Sequence, residues 1–155
     1  NLLSGLTSIY FSIRSLFHLS SIMIIIAIIM DYLDGKTAKF LHEKTKFGKE
    51  IDSMADLISF SVAPGIFGYF YFSLTSANSL FLLIAISFSI LCGLIRLARY
   101  NVTNYSKGFI GMPITMNGVI ILLAYFISLE SAILPYIYIL SGILMISPIK
   151  IKRIL

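Results

Sequence analysis

Apolar residues run along this chain in six long stretches separated by short polar gaps, covering approximately residues 2–17, 20–40, 49–73, 78–103, 113–129 and 132–150. A bilayer core of about 30 Å takes about 20 apolar residues of helix to cross, so each stretch predicts one membrane-spanning helix. Turn-forming and charged residues collect in the gaps at 14–20, 43–48, 73–79, 101–111 and 129–131. Pro64, followed by Gly65 and Gly68, predicts a kink in the third helix. Neither an internal repeat nor a linker interrupts the pattern, so residues 1–155 read as a single all-α, polytopic membrane domain. The first stretch lacks a basic leader and a small-residue cleavage site, and reads as a helix rather than a secretory signal.

Composition supports that picture and excludes others. With 58% hydrophobic and 12% charged residues and a mean hydropathy of +0.95, an ordinary soluble domain is ruled out. The single Cys92 can form neither a disulfide framework nor a thiolate metal site, and reads as a small packing residue. The net charge of +5 would suit a nucleic-acid partner only if the basic residues clustered; they lie instead in the gaps. If the chain enters from the cytoplasm, Lys36, Lys39, Lys44, Lys46, Lys49, Arg96, Arg99, Lys107, Lys150, Lys152 and Arg153 all fall inside, leaving only Arg14 outside. Positive charge favours the cytoplasmic side, which predicts a multi-pass protein of the plasma membrane with both termini inside. Tyr69, Phe70, Tyr71 and Phe72 read as an interfacial aromatic belt.

Six of the seven acidic residues fall between positions 31 and 56. Carboxylates are costly beside a membrane and call for partners. Asp31 and Asp34 are spaced i, i+3, and Asp52 and Asp56 i, i+4, so each pair shares one helix face. A short basic loop joins the two helices, which makes them antiparallel neighbours and lets the pairs converge. Four oxygen donors suit hard divalent cations, Mg²⁺, Mn²⁺ or Ca²⁺, and two ions could share them. Gly35 and Ala38 either make room for a ligand beside those ions or allow close helix packing. His18 and His42 read as solvated or interfacial residues, and Ser59 as bonded within its own helix. A cation transporter is the competing class, but it predicts acids near the midplane of several helices and repeated halves; helices four to six carry only Glu130.

The run Asp31-x-x-Asp34-Gly35-x-x-Ala38-Lys39, eight residues, Gly48-x-x-x-Asp52-x-x-x-Asp56 resembles the signature of the CDP-alcohol phosphotransferase family. The one departure is Lys39, where the family has Arg; a point charge replaces a bidentate fork, unless Lys39 merely snorkels at the interface. Downstream, Asp52 to Pro64, Gly93 to Asn101 and Phe109 to Pro113 resemble the phosphatidylserine synthase branch, and Asn1-x-x-x-Gly5 fits the family pattern weakly.

The resemblance implies six membrane helices, a homodimer and an active site at the cytoplasmic face. It also implies transfer of a phosphatidyl group from CDP-diacylglycerol to L-serine, with release of CMP. Asp31, Asp34, Asp52 and Asp56 would hold two divalent metal ions, and Asp56 would double as general base. Gly35, Ala38, Lys39, Gly48 and Ser53 would meet the CDP-lipid. Serine brings a carboxylate that needs cations, for which Arg96 and Arg99 are candidates, alongside Asn101; anchoring for the arginines and helix capping for Asn101 are their alternatives. Glycerol 3-phosphate or an inositol phosphate as acceptor, and an archaeal ether lipid as donor, fit the same chemistry.

Overall fold

The computed structural model describes residues 1–40, 46–73, 79–102, 109–148 and 150–151, with backbone alone at 37–40, 46, 109–110 and 150–151. Its helices are α1 (Leu2–Ile13), α2 (Phe17–Phe40), α3 (Lys46–Leu57), α4 (Ala63–Ser73), α5 (Ser79–Val102), α6 (Thr115–Phe126) and α7 (Leu134–Ile146). A single π-helical turn, Ile58–Val62, joins α3 to α4. Two-residue strands β1 (Phe109–Ile110) and β2 (Lys150–Ile151) pair antiparallel. All six predicted stretches are thus helical, and the third is composite. Among the described residues three runs, Phe17–Lys36, Phe47–Ser73 and Ser79–Val102, are long and apolar enough to cross a bilayer.

Helices α1 and α6 end sooner than hydropathy predicts, because serines close them. Ser15 and Ser128 take left-handed backbone angles, φ 59° and 54°. The following amides turn back, Leu16 N–H donating to Phe11 O and Leu129 N–H to Ala124 O, both at 2.9 Å. Such a left-handed residue satisfies the last helical carbonyls. Hydrophobicity continues past the stop, which is why it does not mark it.

Where helices meet, small and polar residues do the joining. The hydroxyls of Ser8, Ser12 and Ser20 are buried and bonded together, with Oγ–Oγ distances of 2.8 and 2.7 Å to Ser20, and so tie α1 to α2. Interhelical hydroxyl bonds of this kind substitute for the hydrophobic drive that lipid removes. α5 packs along α7, and α4 leans on α1, α5 and α6.

One apolar cluster, including Phe67, Phe72, Leu82, Ile121 and Tyr138, fills the end of the bundle away from the aspartates. Phe72 is therefore core, and Tyr71 packs edge-on against Phe17 and Tyr125, so this aromatic run is not simply an interfacial belt. A second cluster of Ala27, Phe60, Leu97, Ile114 and Met145 lies between it and the acidic site.

The π turn has a chemical cause. Pro64 has no N–H to offer the Phe60 carbonyl one turn back. Asn117 Nδ2, from α6, donates to that carbonyl at 3.0 Å. Tyr138 OH, from α7, donates to Pro64 O at 2.8 Å, in space that the missing side chain of Gly68 leaves. The acceptor that Pro64 frees, the Phe60 carbonyl, is thereby satisfied, as buried backbone groups must be. The kink expected at Pro64 takes the form of a widened turn just ahead of it, immediately after Asp56.

Candidate active site

The acidic end of the bundle holds a cavity of about 600 Å³ between α2, α3 and α5, closed on one side by Pro113 to Thr115. Asp31 comes from α2, and Asp52 and Asp56 from successive turns of α3. One carboxylate oxygen from each lies within 4.8 Å of the others. Two unit charges about 4 Å apart repel by about 4 kcal/mol at an effective dielectric of about 20. Three together need a cation, and the donor set is the all-oxygen kind that hard divalent ions take. The geometry therefore fits the metal expected from the spacing.

Asp34 is exposed one turn beyond Asp31, outside the 4.8 Å set. Gly35 and Ser53 line the cavity. Among the described residues a Cβ on Gly35 would meet nothing within 4 Å, so this glycine leaves open space beside them. Gly48 is exposed one turn before Asp52. The side chains of Ala38 and Lys39 and the whole of His42 lie outside the described residues.

Positive charge shares the cavity. Lys36, Lys49 and Arg96 line it with the carboxylates. The Arg96 Nε is buried and has no hydrogen-bond partner among the described residues. A guanidinium in that condition suits an anion. Arg99, expected beside it, donates instead through Nη1 to Ile146 O at the end of α7, at 3.2 Å. Asn101 Nδ2 bonds Ser53 Oγ and Glu50 Oε2, each at 3.0 Å, and thereby ties α5 to α3. Lys49 strengthens that seam, its Nζ 3.2 Å from Tyr100 O and 4.7 Å from the Tyr100 ring centre.

Two further residues enter that spacing did not reveal. Asn1 Nδ2 donates to Asp56 Oδ1 at 2.8 Å. Asn117 supports the turn that follows Asp56. The only signal in the sequence for Asn117 is an amide in an otherwise apolar helix. Ser59 bonds the Asn1 carbonyl at 3.3 Å, not its own helix as expected. His18, at the opposite end, is exposed and pairs through Nδ1 with Tyr125 OH at 2.9 Å.

An apolar helical bundle with a carboxylate cluster facing cations in one cavity is of the class that could hold a metal ion beside an anionic ligand. The family model described as CDP-alcohol phosphatidyltransferase matches residues 1–148, and the chain belongs to that family. It is similar to proteins named CDP-diacylglycerol–serine O-phosphatidyltransferase. One is from Methanocaldococcus jannaschii, 40% identical over 99% of this chain and 70% of the relative. Another is from Helicobacter pylori, 34% identical over 94% and 65%. It is also 35% identical to an archaetidylserine synthase of Methanothermobacter thermautotrophicus, over 99% of this chain and 66% of that protein. The chain thus spans about two thirds of the length of these relatives.

Proposed function

We propose that this protein transfers a phosphatidyl group from CDP-diacylglycerol to the hydroxyl of L-serine, giving phosphatidylserine and CMP. The observation that carries the reading is the meeting of Asp31, Asp52 and Asp56 with Arg96 in one cavity. Transfer needs a cation site for the pyrophosphate and an anion site for the acceptor's carboxylate, side by side.

The serine oxygen attacks the phosphorus attached to diacylglycerol, and the bond from that phosphorus to the bridging pyrophosphate oxygen breaks. Asp56 takes the hydroxyl proton, and CMP departs. Asp31, Asp52 and Asp56, with Asp34 one turn away, would hold two divalent ions, Mg²⁺ or Mn²⁺ with Ca²⁺ as a third candidate, which would supply positive charge to neutralise the pyrophosphate and the leaving phosphate. Gly35 and Ser53 border the nucleotide, with Ala38, Lys39 and Gly48 beside them. Arg96 holds the serine carboxylate; Arg99 and Asn101 support that wall through the bonds they make to α7 and α3.

In this reading the chain crosses the plasma membrane six times as a single domain and pairs with a second copy. The site and both termini face the cytoplasm. The eleven basic residues on one side support that orientation. A second reading, an archaeal ether lipid as donor, is favoured by the archaetidylserine synthase among the relatives.

The test is CMP release by the purified protein with Mn²⁺ or Mg²⁺. The donors are CDP-diacylglycerol or its ether analogue, and serine, glycerol 3-phosphate and inositol phosphate are offered separately. Release with serine alone is expected. No release with any pair would overturn the enzyme reading, and release only with a phosphate-bearing acceptor would overturn the serine branch.

A further inference from the structure

Asn1 occupies the N-cap of α1, yet its side chain makes no capping bond. Asparagine is among the best N-caps, worth about 1 kcal/mol there, so something competes for it. Its Nδ2 instead reaches across to Asp56 Oδ1, 2.8 Å away. The other end of the amide is left unsatisfied, since Asn1 Oδ1 is buried with no hydrogen-bond partner among the described residues. A buried orphan acceptor costs about 1–3 kcal/mol. Both the forgone cap and the orphan acceptor are costs of orienting this amide toward Asp56.

The contact is built into the packing of α1 against the turn that follows α3. Asn1 and Gly5 are one turn apart on α1, and Asp56 and Ser59 one turn apart on the facing helix. The Asn1 carbonyl accepts from Ser59 Oγ at 3.3 Å and from Gly5 N–H at 3.1 Å. A Cβ on Gly5 would come within 2.9 Å of the Ser59 Cα, so only glycine lets α1 approach this closely. The Gly5–Ser59 contact sets the distance at which Asn1 meets Asp56.

We propose that Asn1 is a positioning residue for Asp56: its amide fixes one carboxylate oxygen and turns the other toward Asp31 and Asp52, while Gly5 sets the approach. The proposal rests on the metal-dependent transfer reading above and adds to it a group on α1. A partner that orients a metal-binding carboxylate contributes about 10- to 100-fold to affinity or activity.

Asn1→Leu and Asn1→Ala remove the donor and the orphan acceptor together. Each should lower kcat about 10- to 100-fold, leave KM for the CDP-lipid within about threefold, weaken Mn²⁺ binding at least about threefold and leave Tm equal or higher. Asn1→Gln, which keeps the donor, should recover most of the lost kcat. Gly5→Ala should shift kcat in the same direction and add little to Asn1→Leu. An unchanged kcat and Mn²⁺ affinity with lowered Tm would make Asn1 merely structural and overturn the proposal. If the unaltered protein releases no CMP, the transfer reading fails, and Mn²⁺ affinity alone decides. An affinity that Asn1→Leu does not weaken, or no Mn²⁺ binding by the unaltered protein, then overturns this one too.

Discussion

Asp56 lies on the face where three helices converge, and its substitution separates binding from chemistry. Asp56→Asn keeps shape and removes a base. It should cut CMP release about 10²- to 10⁴-fold, the range for a positioned proton acceptor, while titration still detects binding of CMP. Metal dependence tests the cluster as a whole. Crowding three carboxylates within 4.8 Å penalises their charged forms in the metal-free protein. Mn²⁺ at about 100 times its Kd should therefore stabilise it by about 2.7 kcal/mol, and a chelator should reverse the shift in a melting experiment. Asp52→Asn should raise the metal-free Tm and lose the Mn²⁺ response. The carboxylates were legible in the sequence because helical spacing fixes which side chains share a face. Spacing could not distinguish Arg96 from Arg99, because long side chains on one face can reach different partners: Arg96 points into the cavity and Arg99 to Ile146 O. Asn1 was legible only as part of a weak family pattern with Gly5, since its bond to Asp56 depends on a helix far away in sequence.

The six helical stretches were legible because lipid demands long apolar runs, and the π turn was not, because it depends on partners far away in sequence. Pro64 announces a broken bond but not who repairs it. Asn117 repairs it from α6, while Tyr138 reaches the Pro64 carbonyl from α7. Asn117→Leu should therefore destabilise the protein by about 1–3 kcal/mol through the unsatisfied Phe60 carbonyl. Pro64→Ala offers a backbone donor near that carbonyl, so the double variant should lose less than the sum of the two single changes. Thermal unfolding in nanodiscs measures the coupling; simple additivity would show that the Asn117 bond does not compensate for the missing proline N–H.

Orientation belongs to the whole molecule. Cys92 is 2% exposed, so it should stay silent to a membrane-impermeant thiol reagent. Val102 is 85% exposed at the acidic end of α5, and Arg14 lies at the opposite end of the bundle. In sealed cells Arg14→Cys should label from outside and Val102→Cys only after permeabilisation; the reverse pattern would invert the topology. Charge asymmetry is the basis of this expectation, while the lengths of the helices did not emerge from hydropathy. α1, α6 and α7 have 12, 12 and 13 residues. At 1.5 Å per residue each rises only about 18–20 Å, well short of a hydrocarbon core of about 30 Å. If these three helices span the membrane as proposed, hydrophobic mismatch follows, and the bilayer must thin beside them or draw their polar ends inward. Turnover should then depend on acyl-chain length, faster in vesicles of short-chain lipids than in thick ones. A protein of this shape samples the thickness of the very layer to which its product would be added.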